Sequence, residues 1–390
     1  MKTNISILGS TGSIGETSLN IIKKKNHLFK VHTLVANSNL KKILDQIRIF
    51  KPINFVVVDK DIFIKVKNKT KNSKTKIFNK YNKLIKGTKI DITICAIPGL
   101  EGLNPTIEFA KISKKILLAN KESIICGWNI LSRIAKKNNT KIEPIDSEHF
   151  SIKKIMATYR DNDIEKIYIT ASGGPFFRTP ISKFKKIKPA DAIKHPKWKM
   201  GKKISVDSAT LMNKILELIE AQKIFKYEFK KYELIIHPQS LVHAIIKFKN
   251  GITKLLYHEP DMTIPISNAI FNFDVNISDF VHFKKKEVMR NLEFCKVDAR
   301  RYPVFKLIPL LNRYNSTPII INAANEILVD QFLKNKISFC SISKYLFLLL
   351  KDKNYKKYAI QRPINLKSIY KIDNWSRNSI LKIISEKKLI

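Results

Sequence analysis

The stretch Ile5-Ser6-Ile7-Leu8-Gly9-Ser10-Thr11-Gly12-Ser13-Ile14-Gly15 decides the fold. An apolar run of strand character passes directly into three glycines at G-x-x-G-x-x-G spacing, and these open a helix. Small residues at such a turn let backbone N–H groups approach a pyrophosphate at the positive end of the helix. The glycines alone would equally suit a tight strand-to-helix turn without a ligand. Their place immediately after the first strand favours the nucleotide reading.

Outward from that loop, buried-strand patterns recur at residues 31–35, 55–58, 90–96, 116–119 and 142–145, with amphipathic or lysine-rich stretches between them. Repeated βα units predict a Rossmann-like, doubly wound parallel sheet with ligands at the carboxyl ends of its strands. From 164 to 170 a polar and apolar alternation replaces this rhythm, and Gly173-Gly174-Pro175 breaks it. Further strands are expected at 233–236, 242–248 and 253–257. The fold class is therefore α/β, divided into a nucleotide-binding domain over 1–146, a central α+β domain over 147–275, a linker over 276–297 and a small helical domain over 298–390. A chain of 390 residues is long enough for several cores.

The formal net charge of +41 would ordinarily suggest a polyanionic partner. The basic residues are spread through the chain and fit no nucleic-acid module, so no specific nucleic-acid partner is expected. Cys95, Cys126, Cys295 and Cys340 are far apart, which argues against disulfides and structural zinc. None of them suits the nucleophile that an NADP-dependent semialdehyde dehydrogenase needs beside a histidine in its second domain. No apolar run is long enough to span a bilayer, and a soluble, cytoplasmic protein without a membrane partner is the expectation.

After the second strand comes Ala36-Asn37-Ser38-Asn39, where an NAD site usually places an acid for the ribose hydroxyls. With no carboxylate there and with Lys41 and Lys42 following, NADP is the expected cofactor. The sixth strand ends Pro144-Ile145-Asp146-Ser147-Glu148-His149. Read as an extended segment, it sets Asp146 and Glu148 on one side, Ser147 between them, and turns His149 away. A third carboxylate, Glu217, lies on a later helix. Oxygen donors of this kind favour Mg²⁺ or Mn²⁺ over zinc, although Asp-x-Glu pairs are as common in solvated loops.

That helix belongs to the segment from His195 to Glu217. Leu211, Met212, Ile215, Leu216, Leu218 and Ile219 repeat as a helix does, with Asp207 or Ser208 as the expected N-cap and open N–H groups near Ser208 for an anion. Asn213 shares a face with Glu217, and Lys214 stands three residues before it. The arrangement suits a phosphorylated ligand.

Taken in order, Gly9 to Gly15, Leu118-Ala-Asn-Lys-Glu-Ser123, Asp146-Ser-Glu-His149, Ser172-Gly-Gly-Pro-Phe176, His195 to Glu217, His237-Pro-Gln-Ser240, Glu259-Pro-Asp-Met262 and Asn322-Ala-Ala-Asn-Glu326 resemble the 1-deoxy-D-xylulose 5-phosphate reductoisomerase family through most of the chain. The resemblance implies conversion of that sugar phosphate to 2-C-methyl-D-erythritol 4-phosphate on the non-mevalonate route to isoprenoids. The reaction is a retro-aldol cleavage and recombination followed by reduction with NADPH, supported by Mg²⁺ or Mn²⁺, with Co²⁺ as an alternative. It implies a homodimer, and Asp146, Glu148 and Glu217 as metal ligands. It places Lys121, Ser147 and Glu148 at the reacting end of the sugar, and Ser172, Ser208, Asn213 and Lys214 at its phosphate. His195 approaches from its loop, so that Lys121, Glu148, His195 and Glu217 are the expected catalytic residues. Thr11, Gly12, Ser13, Ile14, Asn39, Asn120, Glu122 and Gly201 fall on nucleotide-contacting positions. Asn37 and Ser38 stand where the family commonly has glycine and a basic residue, which weakens the expected grip on the 2′-phosphate. Residues 194–202 look like a mobile flap, with Trp198 and Met200 as apolar covers over the substrate, although Trp198 could also be a core anchor. His237 and His243 are read as structural or as supporting the site from behind its ligands, with no catalytic role assigned.

Overall fold

Seven strands, β1 (Thr3–Leu8), β2 (Phe29–Ala36), β3 (Asn54–Val57), β4 (Lys76–Phe78), β5 (Ile90–Cys95), β6 (Ser113–Leu118) and β7 (Lys141–Pro144), form one sheet in the order β4-β3-β2-β1-β5-β6-β7. All its pairings are parallel. The computed structural model describes residues 2–84, 89–157, 163–195, 197–198, 201–281 and 291–387. A parallel sheet is covered on both faces, which is why its strands read as continuous Ile, Leu and Val runs. Ile5, Ile7, Leu34, Phe55, Val57 and Ile94 are fully buried. The six expected strands are present. The seventh, β4, has only three residues and begins with an exposed lysine, so it gave no strand signal. β1 lies between β2 and β5, and that reversal of strand order opens a crevice at the carboxyl ends of the strands.

The chain divides into two compact units. The first comprises Met1–Ser123, Gly127–Phe150 and Asp261–Val288, so a late segment returns to the early sheet. Its helix Thr263–Ile270 sends Ile266, Ala269 and Ile270 into the core that holds Ile5 and Leu34. Lys115 Nζ fastens it by donating to the Ala269 carbonyl and to Asn272 Oδ1, each at 2.7 Å. The boundary expected at 275 falls inside this segment, whose attachment depends on contacts remote in sequence.

The second unit comprises Ile124–Cys126, Ser151–Pro260 and Met289–Ile390. Strands β8 (Ile164–Ala171), β9 (Tyr232–Ile236), β10 (Val242–Phe248), β11 (Thr253–Tyr257) and β12 (Cys295–Lys296) are ordered β11-β10-β8-β9-β12. Only β8 and β9 pair in parallel. The unit also holds the helices Lys202–Ala209, Met212–Phe225, Thr317–Leu333, Phe339–Leu349 and Leu366–Glu386, of which Met212–Phe225 packs on β8. Among the described residues no helix is long and apolar enough to cross a membrane.

One local expectation is corrected. The helix predicted to start at Asp207 or Ser208 begins at Met212, and a separate helix, Lys202–Ala209, precedes it. Leu211 makes the break with φ of 67°. Asp207 and Ser208 therefore occupy a last helical turn, where the Ser208 N–H serves the helix and offers no open anion site. The Asp207 carboxylate does not cap: it accepts from Lys203 Nζ at 2.8 Å and Asn325 Nδ2 at 2.7 Å.

Candidate active site

The glycine loop is as tight as its composition suggested. Gly9 has φ of +86°, and a Cβ there would lie 2.6 Å from the Ala96 carbonyl oxygen. At Gly15 a Cβ would meet the Gly9 carbonyl oxygen at 2.3 Å, so any larger residue would push the helix off the strand. The helix Ser13–Lys24 starts at Gly12, extended and without a side-chain cap, leaving its first-turn N–H groups without an acceptor from a capping side chain. That cradle fits a pyrophosphate. A residue missed in the sequence holds the loop: Gln46 Nε2 donates to the Ser10 carbonyl at 2.9 Å and its Oε1 accepts from Ser10 Oγ at 2.7 Å. No local pattern could have marked Gln46, because the contact joins the loop to the helix Leu40–Phe50, 36 residues away.

At the end of β2, Asn37, Ser38 and Asn39 are exposed, and no carboxylate among them would oppose a 2′-phosphate. Asn39 Oδ1 caps the helix Leu40–Phe50 by accepting from the Lys42 N–H at 3.1 Å. The Lys42 ammonium is paired with Glu16 Oε1 at 2.6 Å. Beyond β6, the buried Asn120 amide donates to the carbonyls of Ile97 and Gly99 and to Glu122 Oε2. Its side chain knits the turn instead of facing outward.

The carboxylate segment is not extended. Asp146 caps the helix Ser147–Met156: its carbonyl accepts from the Phe150 N–H at 2.8 Å and its Oδ1 from the Glu148 N–H at 3.3 Å. N-capping is what an aspartate after a strand does best, and helical directions replace the alternation assumed from the sequence. The correction extends to His149, which is not turned away: it is fully buried with Nδ1 3.7 Å from Asp146 Oδ1. Lys121 Nζ lies 2.5 Å from Asp146 Oδ2, and Ser147 Oγ donates to Glu148 Oε2 at 2.6 Å. The donors are carboxylate oxygens gathered on one helical turn, a set suited to a hard divalent cation.

In the second unit, Ser172 Oγ lies 3.0 Å from His195 Nε2. His195 Nδ1 accepts the N–H groups of Lys197 at 3.1 Å and Trp198 at 2.9 Å, which fixes the tautomer as Nε2–H. Burial, reinforced by the charge of Lys214, pushes the imidazole pKa down to about 4. The ring is therefore a neutral donor to Ser172. Half-buried Trp198 meets His243 edge-on at 5.9 Å between ring centroids, and His243 stacks on His258 at 3.9 Å. Residues 196, 199 and 200 of the expected flap, Met200 included, lie outside the described residues. Gly201 is exposed and begins the helix Lys202–Ala209.

The loop after Ser172 abuts that helix. A Cβ on Gly174 would fall 2.7 Å from the Ser208 carbonyl oxygen, and the Gly174 N–H donates to Ser172 Oγ at 3.0 Å. Tyr302, also missed in the sequence, holds the loop from behind through its hydroxyl, 2.7 Å from the Gly173 carbonyl. Glu217 is buried, with Lys214 Nζ at 2.7 Å on one oxygen and Asn213 Nδ2 bonded to the other. Asn213 and Lys214, expected at the phosphate, thus also hold Glu217, the lysine neutralising it and the amide donating to it. Ser172, Gly174 and Lys197 line a cavity of about 390 Å³ with Arg178 and Gln239 on its wall.

Comparison with known proteins agrees with this assembly. The family model described as 1-deoxy-D-xylulose 5-phosphate reductoisomerase matches residues 5–127, and models of that enzyme's C-terminal domains match 142–225 and 258–379. The 1-deoxy-D-xylulose 5-phosphate reductoisomerase of Pelagibacter ubique is 44% identical over 95% of this chain and 97% of its own length. That of Clostridium novyi is 39% identical over 87% of this chain and 89% of its own. Among solved structures, the Zymomonas mobilis enzyme in complex with NADPH superposes with a TM-score of 0.86 at 30% identity, covering 98% of this chain and 99% of that one. A reductoisomerase in complex with NADPH, fosmidomycin and magnesium gives 0.91 at 31% identity, covering 99% of both chains. Matched by these family models along most of its length and 44% identical to a relative over 95% of its residues, this chain belongs to the 1-deoxy-D-xylulose 5-phosphate reductoisomerase family.

Proposed function

We propose that this chain converts 1-deoxy-D-xylulose 5-phosphate to 2-C-methyl-D-erythritol 4-phosphate, using NADPH and Mg²⁺ or Mn²⁺, with Co²⁺ able to substitute. The observation that carries the reading is family membership along nearly the whole chain. When bound, NADPH supplies a hydride and the divalent cation supplies Lewis acidity at adjacent sugar oxygens. Asp146, Glu148 and Glu217 are the proposed cation ligands, a hard-oxygen set that suits these ions.

The remaining steps fall to the chain's own groups. Lys121 and the Ser147 hydroxyl orient the reacting end of the sugar beside Glu148. Ser172, Ser208, Asn213 and Lys214 bind the phosphate. The neutral Nε2–H of His195 fixes the Ser172 hydroxyl, and Trp198 excludes water from that side. Thr11, Gly12, Ser13 and Ile14 hold the pyrophosphate of the cofactor at the helix start. Asn37, Ser38 and Asn39 face its ribose, with Asn120, Glu122 and Gly201 contributing further contacts.

The proposed division of labour gives the seven-stranded unit the cofactor together with Lys121, Asp146, Ser147 and Glu148, and gives the unit of the five-stranded sheet Glu217, His195 and the phosphate-binding groups. Residues 194–202 act as the flap. A cytoplasmic homodimer completes the reading, supported by the edge strand β11, which leaves Leu255 and Tyr257 exposed. The test is NADPH absorbance on adding the sugar phosphate, with Mg²⁺, with excess EDTA, and for Glu217→Gln. Oxidation abolished by both EDTA and the substitution supports the proposal. Oxidation surviving both removes the three-carboxylate metal site.

A further inference from the structure

We propose that Asn325 is a positioning residue for the substrate's phosphate, acting through Asp207. The inference rests on the reading of Ser172 and Ser208 as phosphate-binding groups. Asp207 is buried in the last turn of the helix Lys202–Ala209, immediately before Ser208. A carboxylate there is unfavourable on three counts: it is out of water, it sits at the negative end of a helix, and it would repel an anion held by its neighbour. One cationic and one amide donor satisfy it and fix its direction. Lys203 Nζ binds Oδ2 at 2.8 Å, and Asn325 Nδ2, from the helix Thr317–Leu333, binds Oδ1 at 2.7 Å.

The chemistry of Asn325 separates this role from simple packing. Asn325 is fully buried, and among the described residues its Oδ1 receives no hydrogen bond. A half-satisfied buried amide joins two helices less well than an apolar side chain of similar volume would. What only the amide supplies is a donor aimed at Asp207. Through it the last turn of the helix Lys202–Ala209 is set against the Ser172 loop, where Gly174 leaves no room for a Cβ beside the Ser208 carbonyl. The next residue, Glu326, anchors the same helix to the helix Leu366–Glu386. It bonds Arg377 and accepts from Asn322 Nδ2 at 3.2 Å, while Arg377 holds Asp373 at 2.5 Å. The motif Asn322-Ala-Ala-Asn-Glu326 thus joins the C-terminal helices to the phosphate-binding turn.

The test uses the full-length enzyme with Asn325→Leu, Asn325→Asp, the exchange Asn325→Asp with Asp207→Asn, and Ser208→Ala. Four quantities are measured: KM for the sugar phosphate, inhibition by inorganic phosphate, NADPH affinity and melting temperature. Asn325→Leu is expected to raise KM and weaken phosphate inhibition about tenfold with NADPH affinity unchanged, and, by leaving the buried Asp207 Oδ1 without its donor, to lower the melting temperature. Asn325→Asp sets two carboxylates face to face and raises KM further. The exchange restores one donor and one acceptor and recovers most of the loss, which a purely structural role would not predict. If Asn325→Leu does not yield folded enzyme, Asn325→Asp and the exchange carry the test. An unaltered KM in Asn325→Leu, or an exchange that recovers nothing, overturns the proposal while a raised KM in Ser208→Ala leaves the phosphate assignment standing. An unaltered KM in Ser208→Ala overturns that assignment, and the proposal with it.

Discussion

The Lys121 ammonium sits 2.5 Å from Asp146 Oδ2, on a carboxylate whose other oxygen faces the Glu148 N–H at 3.3 Å. Asp146 therefore already holds one cationic group, and a divalent cation taking that carboxylate competes with it. Removing the ammonium should have opposite effects on metal binding and on turnover. For Lys121→Met we expect Mn²⁺ binding to the cofactor-free protein to tighten about fivefold, the scale of a partly exposed ion pair. We expect kcat to fall about 100-fold through loss of a positioned charge at the reacting end of the sugar. Mn²⁺ titration followed by electron paramagnetic resonance, beside steady-state rates, checks both. Weaker Mn²⁺ binding in the variant would mean that Lys121 orders the carboxylate instead of competing for it.

The His195 ring is fixed in a neutral form by its partners, and this sets a pH dependence. Its pKa lies at about 4 where the ordinary value is 6.5, first because of burial and then because of Lys214. Between these values the folded protein binds fewer protons than the unfolded chain, so stability rises with pH across that window. The contribution is complete above pH 6.5 and is lost as pH falls through about 4. We expect nitrogen NMR of His195 to show the neutral Nε2–H tautomer from neutral pH to about 5. Exchange of the Lys197 and Trp198 amides, corrected for intrinsic rates, should accelerate below that point. A ring that titrates near its ordinary value would refute this account of the loop.

How legible each part was follows from the range of the forces involved. Strands such as Val242–Phe248 and Thr253–Tyr257 announced themselves because strand propensity is local, and they fall where the sequence put them. β12, two residues at a sheet edge, depends wholly on its partner β9. The break at Leu211 was invisible because the apolar period continues across it and leucine is not a residue that signals positive φ. At Asp146 the signal existed and was read with the wrong period: an aspartate opening Asp-Ser-Glu-His is an N-cap before it is a strand end. The return of Asp261–Val288 to the first unit rests on contacts more than a hundred residues apart, which no local pattern carries.

Two glycines separate the demands of the fold from those of the cofactor. At Gly15 the obstacle to a side chain is the Gly9 carbonyl oxygen, 2.3 Å from the added carbon. At Gly99 the obstacle is only backbone strain, φ of +77° with nothing within 4 Å. Both alanine substitutions should lower stability by about 1–3 kcal/mol. Only Gly15→Ala should weaken NADPH binding, by about tenfold or more, because it alone shifts the N–H groups at the helix start. Thermal denaturation and NADPH fluorescence titration read the two effects independently. Equal loss of NADPH affinity in both variants would place the pyrophosphate away from this loop.

If, as proposed, the ribose of the cofactor lies at the exposed end of β2, selectivity between NADPH and NADH turns on the residues there. Asn37 and Ser38 offer no charge to a 2′-phosphate, and the nearby Lys42 is compensated by Glu16 at 2.6 Å. Discrimination should therefore be modest in the natural sequence, and two independent changes should raise it. Ser38→Arg supplies a planar, bidentate donor and should increase the ratio of kcat/KM for NADPH over NADH about tenfold. Glu16→Gln releases the Lys42 ammonium without adding a group and should increase it about threefold, because an exposed pair screens only part of the charge. The two should combine with little coupling if the introduced guanidinium and the Lys42 ammonium reach different phosphate oxygens. A ratio unmoved by Ser38→Arg would show that the 2′-phosphate is bound elsewhere than at the end of β2, and the glycine loop alone would then have to account for the cofactor's affinity.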